Sequence, residues 1–339
     1  MTRPISWIPG TVYALIVSLP IPLQAQAPQT QRSDAPTMAL HTFDAAAEHA
    51  TFEWFFLVVD AGKDQGIWAK HGLEPIFVPV AGSSAQLKER VDSGIKIGLV
   101  NAAEVTLARS NGLPVKTIAG YFGETTARIF VAASGPMKAP GDLDGKKIGI
   151  VATTHTSYRT VLYMNKKLGI KAEAVALGNL QNNLAALKAG QIDAFYSAEG
   201  APLALVDSEA LRLLLPLSDI YPKPYAAVVV WATDDLIGRN PDLAMKFVTA
   251  TLEIVGYLKA HPGYASDLYV KRTNAPKNVA DKAVASLNQI LTSDGHGSGK
   301  DLVAAVAGNW QFITESGAVS ADTVVKIDEV VDTRFLPRH

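Results

Sequence analysis

Apolar positions along the chain fall into short runs that alternate with stretches of helical period. Residues 76–80, 97–100, 115–121, 129–132, 147–151, 194–196 and 228–231 are runs of strand length, and 84–93, 102–110, 157–168 and 180–189 between them read as helices. In the last of these, Leu180, Leu184 and Leu187 recur at i, i+4 and i+7 and line one buried stripe. Such alternation predicts an α/β class, with parallel or mixed sheets covered by helices on both faces. Past Trp231 the strands stop. Asn240-Pro241 offers a capping residue followed by proline at the first helical position, and Leu243, Phe247, Ile254 and Leu258 then run in a stripe to His261-Pro262-Gly263. Residues 279–291, 301–315 and 321–331 also read as helices, so the carboxyl third is helical and must pack onto something already built.

One internal similarity adds to this picture. Residues 94–103 align on 190–199, each reading glycine, strand, a polar residue (Asn101 or Ser197) and then small residues opening the next element. The strand preceding each helix ends in a hydroxyl cluster: Ser83 and Ser84 after Gly82 in the first half, Thr153, Thr154, Thr156 and Ser157 around His155 in the second. Two α/β units of similar design are expected.

Composition sets the size and narrows the chemistry. A chain of 339 residues with 48% hydrophobic and 19% charged residues supports about two packed domains. Net charge −1, with neither sign in a long block, gives a nucleic acid no electrostatic footing. With no cysteine there is no disulfide, thiolate nucleophile or lipid-bearing thiol. The seven histidines show no metal-ligand spacing, and no complete catalytic or phosphate-loop motif occurs; Gly295-His296-Gly297-Ser298-Gly299-Lys300 has the wrong spacing and reads as a loop. Neither a metal nor a cofactor is expected. At the amino terminus Arg3 precedes an apolar run of about 17 residues broken by prolines, short for a spanning helix. This reads as a signal peptide over 1–25, cleaved after Ala25, because a cut after Ala27 would leave Pro28 next to the scissile bond. Residues 26–37 then form a flexible leader.

In open sheets, ligands sit beyond the carboxyl ends of strands, where helix amino termini present unpaired N–H groups. The hydroxyl clusters fall there and can either cap the helices or turn toward an anionic group of a ligand. Arg159, in the first turn of its helix, is unfavourably placed against the helix dipole; an anion beside it would reverse that sign, and otherwise it is a solvated surface cation. Glu199 could accept from an amine or ring N–H, or cap the next helix. Trp54, Tyr121, Phe122, Tyr158 and Tyr196 lie near strand ends or helix starts, where they would wall an apolar ligand part or fill the core.

Three stretches carry a family resemblance: Asp64-Gln65-Gly66-Ile67-Trp68-Ala69-Lys70-His71-Gly72-Leu73-Glu74-Pro75, Asp142-Leu143-Asp144-Gly145-Lys146-Lys147-Ile148-Gly149, and Leu187-Lys188-Ala189-Gly190-Gln191-Ile192-Asp193-Ala194. With their spacing, residues 40–260 resemble the periplasmic substrate-binding proteins of ABC importers, in the group that carries aliphatic sulfonates, taurine, nitrate and thiamine-related pyrimidines. The resemblance implies a type II two-lobe fold joined by crossing strands at 125–132 and 225–231. Lobe one would take 38–126, lobe two 127–224, and 225–339 the return crossing and the helical completion of lobe one. It places ligand loops after strand one (His49 to Trp54), at Ser83-Ser84, Asn101-Ala102, Thr125-Thr126, Thr153 to Ser157, and Glu199. The first loop departs from the family pattern, since Ala45-Ala46-Ala47-Glu48-His49 lacks a small polar pair. The implied function is that of a monomeric receptor closing on a small organic anion, a sulfonate or carboxylate, and passing it to an ABC permease in the inner membrane. Two alternatives stand beside it. One is an enzyme using Glu199 as acid/base with His155 or Arg159 as helper, although the cysteine-rich segment of the related yeast-type pyrimidine synthase is absent. The other is a ligand sensor for a membrane kinase.

Overall fold

The structure, a computed structural model, describes residues 41–48, 53–80, 84–294, 301–320 and 322–337. The expected signal peptide and leader, the glycine-rich stretch 295–300 and Ser83 lie outside the described residues.

The chain begins with β1 (His41–Glu48), α1 (Glu53–Asp64), α2 (Ile67–Lys70), β2 (Leu73–Val80), α3 (Ser84–Asp92), β3 (Ile97–Asn101), α4 (Ala102–Ser110) and β4 (Val115–Phe122). It then passes to β5 (Arg128–Ala132), β6 (Lys147–Ile150), α5 (Thr156–Leu168), β7 (Glu173–Ala176), α6 (Leu180–Lys188), β8 (Ala194–Ser197), α7 (Pro202–Asp207) and β9 (Leu211–Pro216). β10 (Val228–Thr233) returns to the first sheet. After it come α8 (Asp234–Arg239), α9 (Pro241–Ala260), α10 (Pro262–Thr273), α11 (Lys277–Asn288), α12 (Leu302–Glu315) and α13 (Ile327–Val330).

Two five-stranded sheets result, ordered β2-β1-β3-β10-β4 and β7-β6-β8-β5-β9. Four strands of each run in the same direction, and the crossing strand, β10 or β5, lies antiparallel between the third and the edge strand. Each sheet is therefore the topological copy of the other, with β3 equivalent to β8. The repeat aligned on Gly94 and Gly190 reflects this: both glycines have left-handed φ values, 98° and 69°, a conformation that favours glycine as the chain leaves a helix for the next strand. Buried clusters cover both faces of each sheet. The central strands are continuous apolar runs because helices press on them from both sides.

Three strands and two helices of 12 residues, α1 and α10, escape the pattern. β7 (Glu-Ala-Val-Ala) and β9 are sheet edges with partly exposed faces, β1 is rich in alanine, and the run Phe55-Phe56-Leu57-Val58 hides the period of α1 because all four side chains are buried. The helix expected over 321–331 is confined to Ile327–Val330; residues 323–326 carry no regular structure.

Helices α9 to α11 share a buried cluster with the first sheet, where Phe247 stacks on Trp68 at 5.2 Å. α12 reaches further. Phe312 packs against Tyr163 and Tyr221 in the cluster of the second sheet, and Glu315 pairs with Lys167 of α5 at 2.6 Å.

Candidate functional site

The connections between the two sheets, together with the strand ends on either side, enclose a small cavity. Phe55 and Phe122 wall it from the first sheet's side, and Tyr196, Tyr221 and Tyr225 from the second. Polar groups come from Asn101, Thr125, Thr126 and Thr156. Its volume of about 30 Å³ leaves room for one or two water molecules and for no organic solute. Among its described lining residues no lysine or arginine occurs; the ionisable groups are Glu124, His155 and the tyrosines. Burial holds the Tyr221 and Tyr225 hydroxyls well above the ordinary tyrosine value, so both stay neutral donors at physiological pH. The Tyr221 hydroxyl is 2.5 Å from Thr160 Oγ1, and its ring packs on Tyr225 with centroids 5.2 Å apart.

Asn101, Thr125, Thr126 and His155 are held in place by backbone contacts. Asn101 caps α4, its side chain accepting from the Ala103 N–H at 3.0 Å. Thr125 Oγ1 accepts from the Ala127 N–H at 3.1 Å, and Thr126 Oγ1 donates to the Ala198 carbonyl at 2.6 Å, tying the crossing to the end of β8. His155 caps α5: its Nδ1 accepts from the Ser157 N–H at 3.0 Å.

Beside the cavity lies a polar cluster that links the two sheets. Glu104, on the first turn of α4, is fully buried. Its Oε2 accepts from the Ser84 N–H at 2.8 Å, and its Oε1 accepts from the Thr156 hydroxyl at 2.6 Å and pairs with the Arg159 guanidinium. Thr156 Oγ1 in turn accepts from Arg159 at 3.1 Å. The carboxylate thus lies against the amino termini of α3 and α5, where the helix dipoles favour a negative charge.

The residues singled out in the sequence therefore part company. Asn101, Thr125, Thr126 and Thr156 meet at the cavity, together with Phe122 and Tyr196. Thr153 and Thr154 do not: both are exposed, because the chain turns into the core only at His155. Ala102 is wholly buried, donating its N–H to the Ala227 carbonyl at 3.0 Å, and Ser157 is spent on α5, its Oγ accepting from the Val151 N–H at 3.2 Å. Ser84 and Arg159 are committed to Glu104 and lie outside the cavity wall. Glu199 is half-buried and not among the lining residues, while its neighbour Ala198 is. Trp54 opens α1, but its side chain, like Ser83, is outside the described part. Tyr121 and Tyr158 also stay off the wall. Of the acid/base grouping with Glu199, the Arg159 guanidinium is bound to Glu104 and His155 Nδ1 caps a helix.

Sequence reasoning missed Glu104, Tyr221 and Tyr225. An acid in a helix's first turn reads as a dipole partner, and the two tyrosines sit in an aperiodic connection. The one available signal was the Tyr221-Pro222-Lys223-Pro224-Tyr225 spacing of aromatics around prolines. No group of three or more residues able to hold a metal ion occurs among the described residues.

Comparison with known proteins places this architecture. Riboflavin-binding protein RibY of Chloroflexus aurantiacus is 26% identical over 208 residues, 60% of this chain and 59% of that protein. The 4-amino-5-hydroxymethyl-2-methylpyrimidine phosphate synthase THI5 of Saccharomyces cerevisiae is 21% identical over 231 residues, 64% of this chain and 67% of the synthase. The chain thus spans about 59–67% of the length of these curated relatives. Among solved structures, the periplasmic aliphatic sulphonate binding protein SsuA from Escherichia coli superposes with a TM-score of 0.68 at 14% identity, covering 86% of this chain and 92% of that one. At that identity the likeness is one of fold, and the fold is the two-lobe periplasmic-binding-protein type. The profile of the NMT1/THI5-like family matches residues 56–265, more than half of the sequence, and the chain belongs to that family.

Proposed function

We propose that this protein is an extracytoplasmic solute receptor that closes two lobes over a small organic solute and delivers it to an ABC-type permease. The lobes would meet near residues 126 and 224, the signal read over 1–25 would direct export to the periplasm, and the receptor would act as a monomer. One observation carries the reading: a cavity walled from both sheets, about 30 Å³ in volume, admits a solute only when the lobes part. Ligand contacts made by both lobes together would favour the closed form, the differential affinity that a hinge mechanism requires.

The wall chemistry favours a planar, uncharged ring system over the organic anion expected from the sequence. Five of the described lining residues are phenylalanine or tyrosine, and hydroxyls and an amide supply donors and acceptors. A sulfonate or carboxylate would find no lysine or arginine among the described lining residues. The names of two relatives carry heteroaromatic rings, riboflavin in one and a pyrimidine in the other, although the pyrimidine bears an anionic phosphate.

A thermal-shift series with riboflavin, 4-amino-5-hydroxymethyl-2-methylpyrimidine, taurine and methanesulfonate tests this. A ligand at 100 times its Kd stabilises the fold by about 2.7 kcal/mol, and a ring solute should give that shift while the sulfonates do not. Stabilisation by the sulfonates alone would restore the anion reading. Recovery of a chemically altered solute would favour the enzymatic reading that the synthase relatives suggest.

A further inference from the structure

We infer that Glu104 is a built-in counter-anion that decides which solutes the cleft accepts: it fills, from inside the protein, the place an anionic ligand group would take. This deepens the receptor reading above and rests on it. The donors converging on Glu104 are a backbone N–H at the start of α3, the Thr156 hydroxyl and the Arg159 guanidinium at the start of α5. Such a set, drawn from two helix amino termini and one cation, is what a carboxylate or sulfonate oxygen would seek. Thr156 connects the cluster to the solute cavity, since its side chain bonds Glu104 and the residue lines the cavity wall.

Arg159 carries a second mark of an anion site. It is only 7% exposed, and its Nε has no hydrogen-bond partner among the described residues, so the guanidinium retains donor capacity beyond what Glu104 uses. An incoming anion would have to displace a carboxylate tethered to the same molecule, and a tethered group competes at an effective concentration of about millimolar or more. The cluster therefore rejects anionic solutes without touching neutral ones. Glu104 and Arg159 cancel each other's charge, and selection falls to the rings and hydroxyls.

The test removes the tethered anion and supplies a free one. Full-length mature chains of wild type, Glu104→Ala, Glu104→Asp and the double variant Glu104→Ala/Arg159→Met would be titrated with acetate and methanesulfonate by calorimetry and thermal shift. Glu104→Ala should bind these ions at least about tenfold more tightly than wild type. Glu104→Asp should keep the wild-type indifference, and loss of Arg159 should abolish the gained affinity. A folded Glu104→Ala chain that responds to the anions no more than wild type overturns the inference, as does a gained response that survives Arg159→Met. Should Glu104→Ala not fold, Glu104→Gln preserves the volume and takes its place under the same criteria. If neither folds unaided, refolding in acetate against chloride decides: recovery in acetate alone supports the inference, and recovery in neither overturns it. Because this inference is read from the gain between wild type and variant, and the solute screen from wild type alone, the two can fail separately. A silent screen with gained anion binding counts against the ring solute alone, and the reverse result counts against Glu104 alone.

Discussion

In the first sheet β3 runs out into Asn101, whose side chain accepts from the N–H two residues on; in the second β8 runs out into Ser197, whose hydroxyl accepts from the Glu199 N–H in the same i to i+2 relation, at 3.1 Å. The two corners match in topology, in the glycine that precedes each strand and in this turn bond. They diverge one residue later. The first places Glu104, which reaches across to Thr156 and Arg159 of α5, beside the second sheet. The second places Gly200, where an added Cβ would lie 2.5 Å from the Cα of Ala283, so that α11 packs directly on the backbone. Both positions are thus contacts between the halves, one by a buried ion pair and one by close backbone approach. A repeated scaffold fixes where the chain points, and a single side chain at the turn decides what chemistry arrives there.

Several substitutions would break or sharpen this comparison. The largest effect belongs to Glu104→Ala, which strands the buried Arg159 cation; about 3–5 kcal/mol should be lost, read as a shift in denaturant midpoint. A double-mutant cycle with Arg159→Met should recover part of that loss, and zero coupling would deny the pair its role. Next comes Gly200→Ala. The clash is with backbone and cannot be relieved by a rotamer change, so about 1–3 kcal/mol should go; a neutral result would show that the α11 contact is loose. Asn101→Ala and Ser197→Ala remove the shared turn bond and should each cost about 1 kcal/mol, with Asn101 the larger because it also caps α4. Costs of opposite rank would mean that the two corners are not equivalent.

The smallest effect at neutral pH is expected at Tyr221, which packs on Tyr225 near the second corner. Burial raises its hydroxyl pKa in the folded chain, so the neutral phenol is favoured there. The stability this contributes is intact below about pH 10, where an unfolded tyrosine begins to ionise, and is lost as pH climbs toward the folded value. Tyr221→Phe should therefore flatten the alkaline limb of the stability profile above about pH 10. An unchanged limb would show the hydroxyl to be solvated.

Much of the scaffold was legible because central strands buried on both faces become plain apolar runs; β3, β6, β8 and β10 each lie within two residues of their expected ends. The edge strands β7 and β9 were not, since half-exposed positions dilute that signal. At the site, Thr156 was marked by the hydroxyl cluster past its strand and Asn101 by the polar residue that ends β3, whereas Thr125 and Thr126 came only from the family resemblance. Arg159 reads from the sequence either as a solvated surface cation or as the partner of an anionic ligand; it is buried instead, and its partner is Glu104, 55 residues earlier in the chain. Only tertiary packing brings those charges together, and no local pattern records it.

The central claim is that two lobes shut over a solute that leaves unchanged. Small-angle scattering of the mature chain, alone and saturated with the strongest ligand from the thermal-shift series, measures it most directly. The account predicts a smaller radius of gyration with ligand present and intact ligand recovered afterwards. An identical radius at saturation would contradict it.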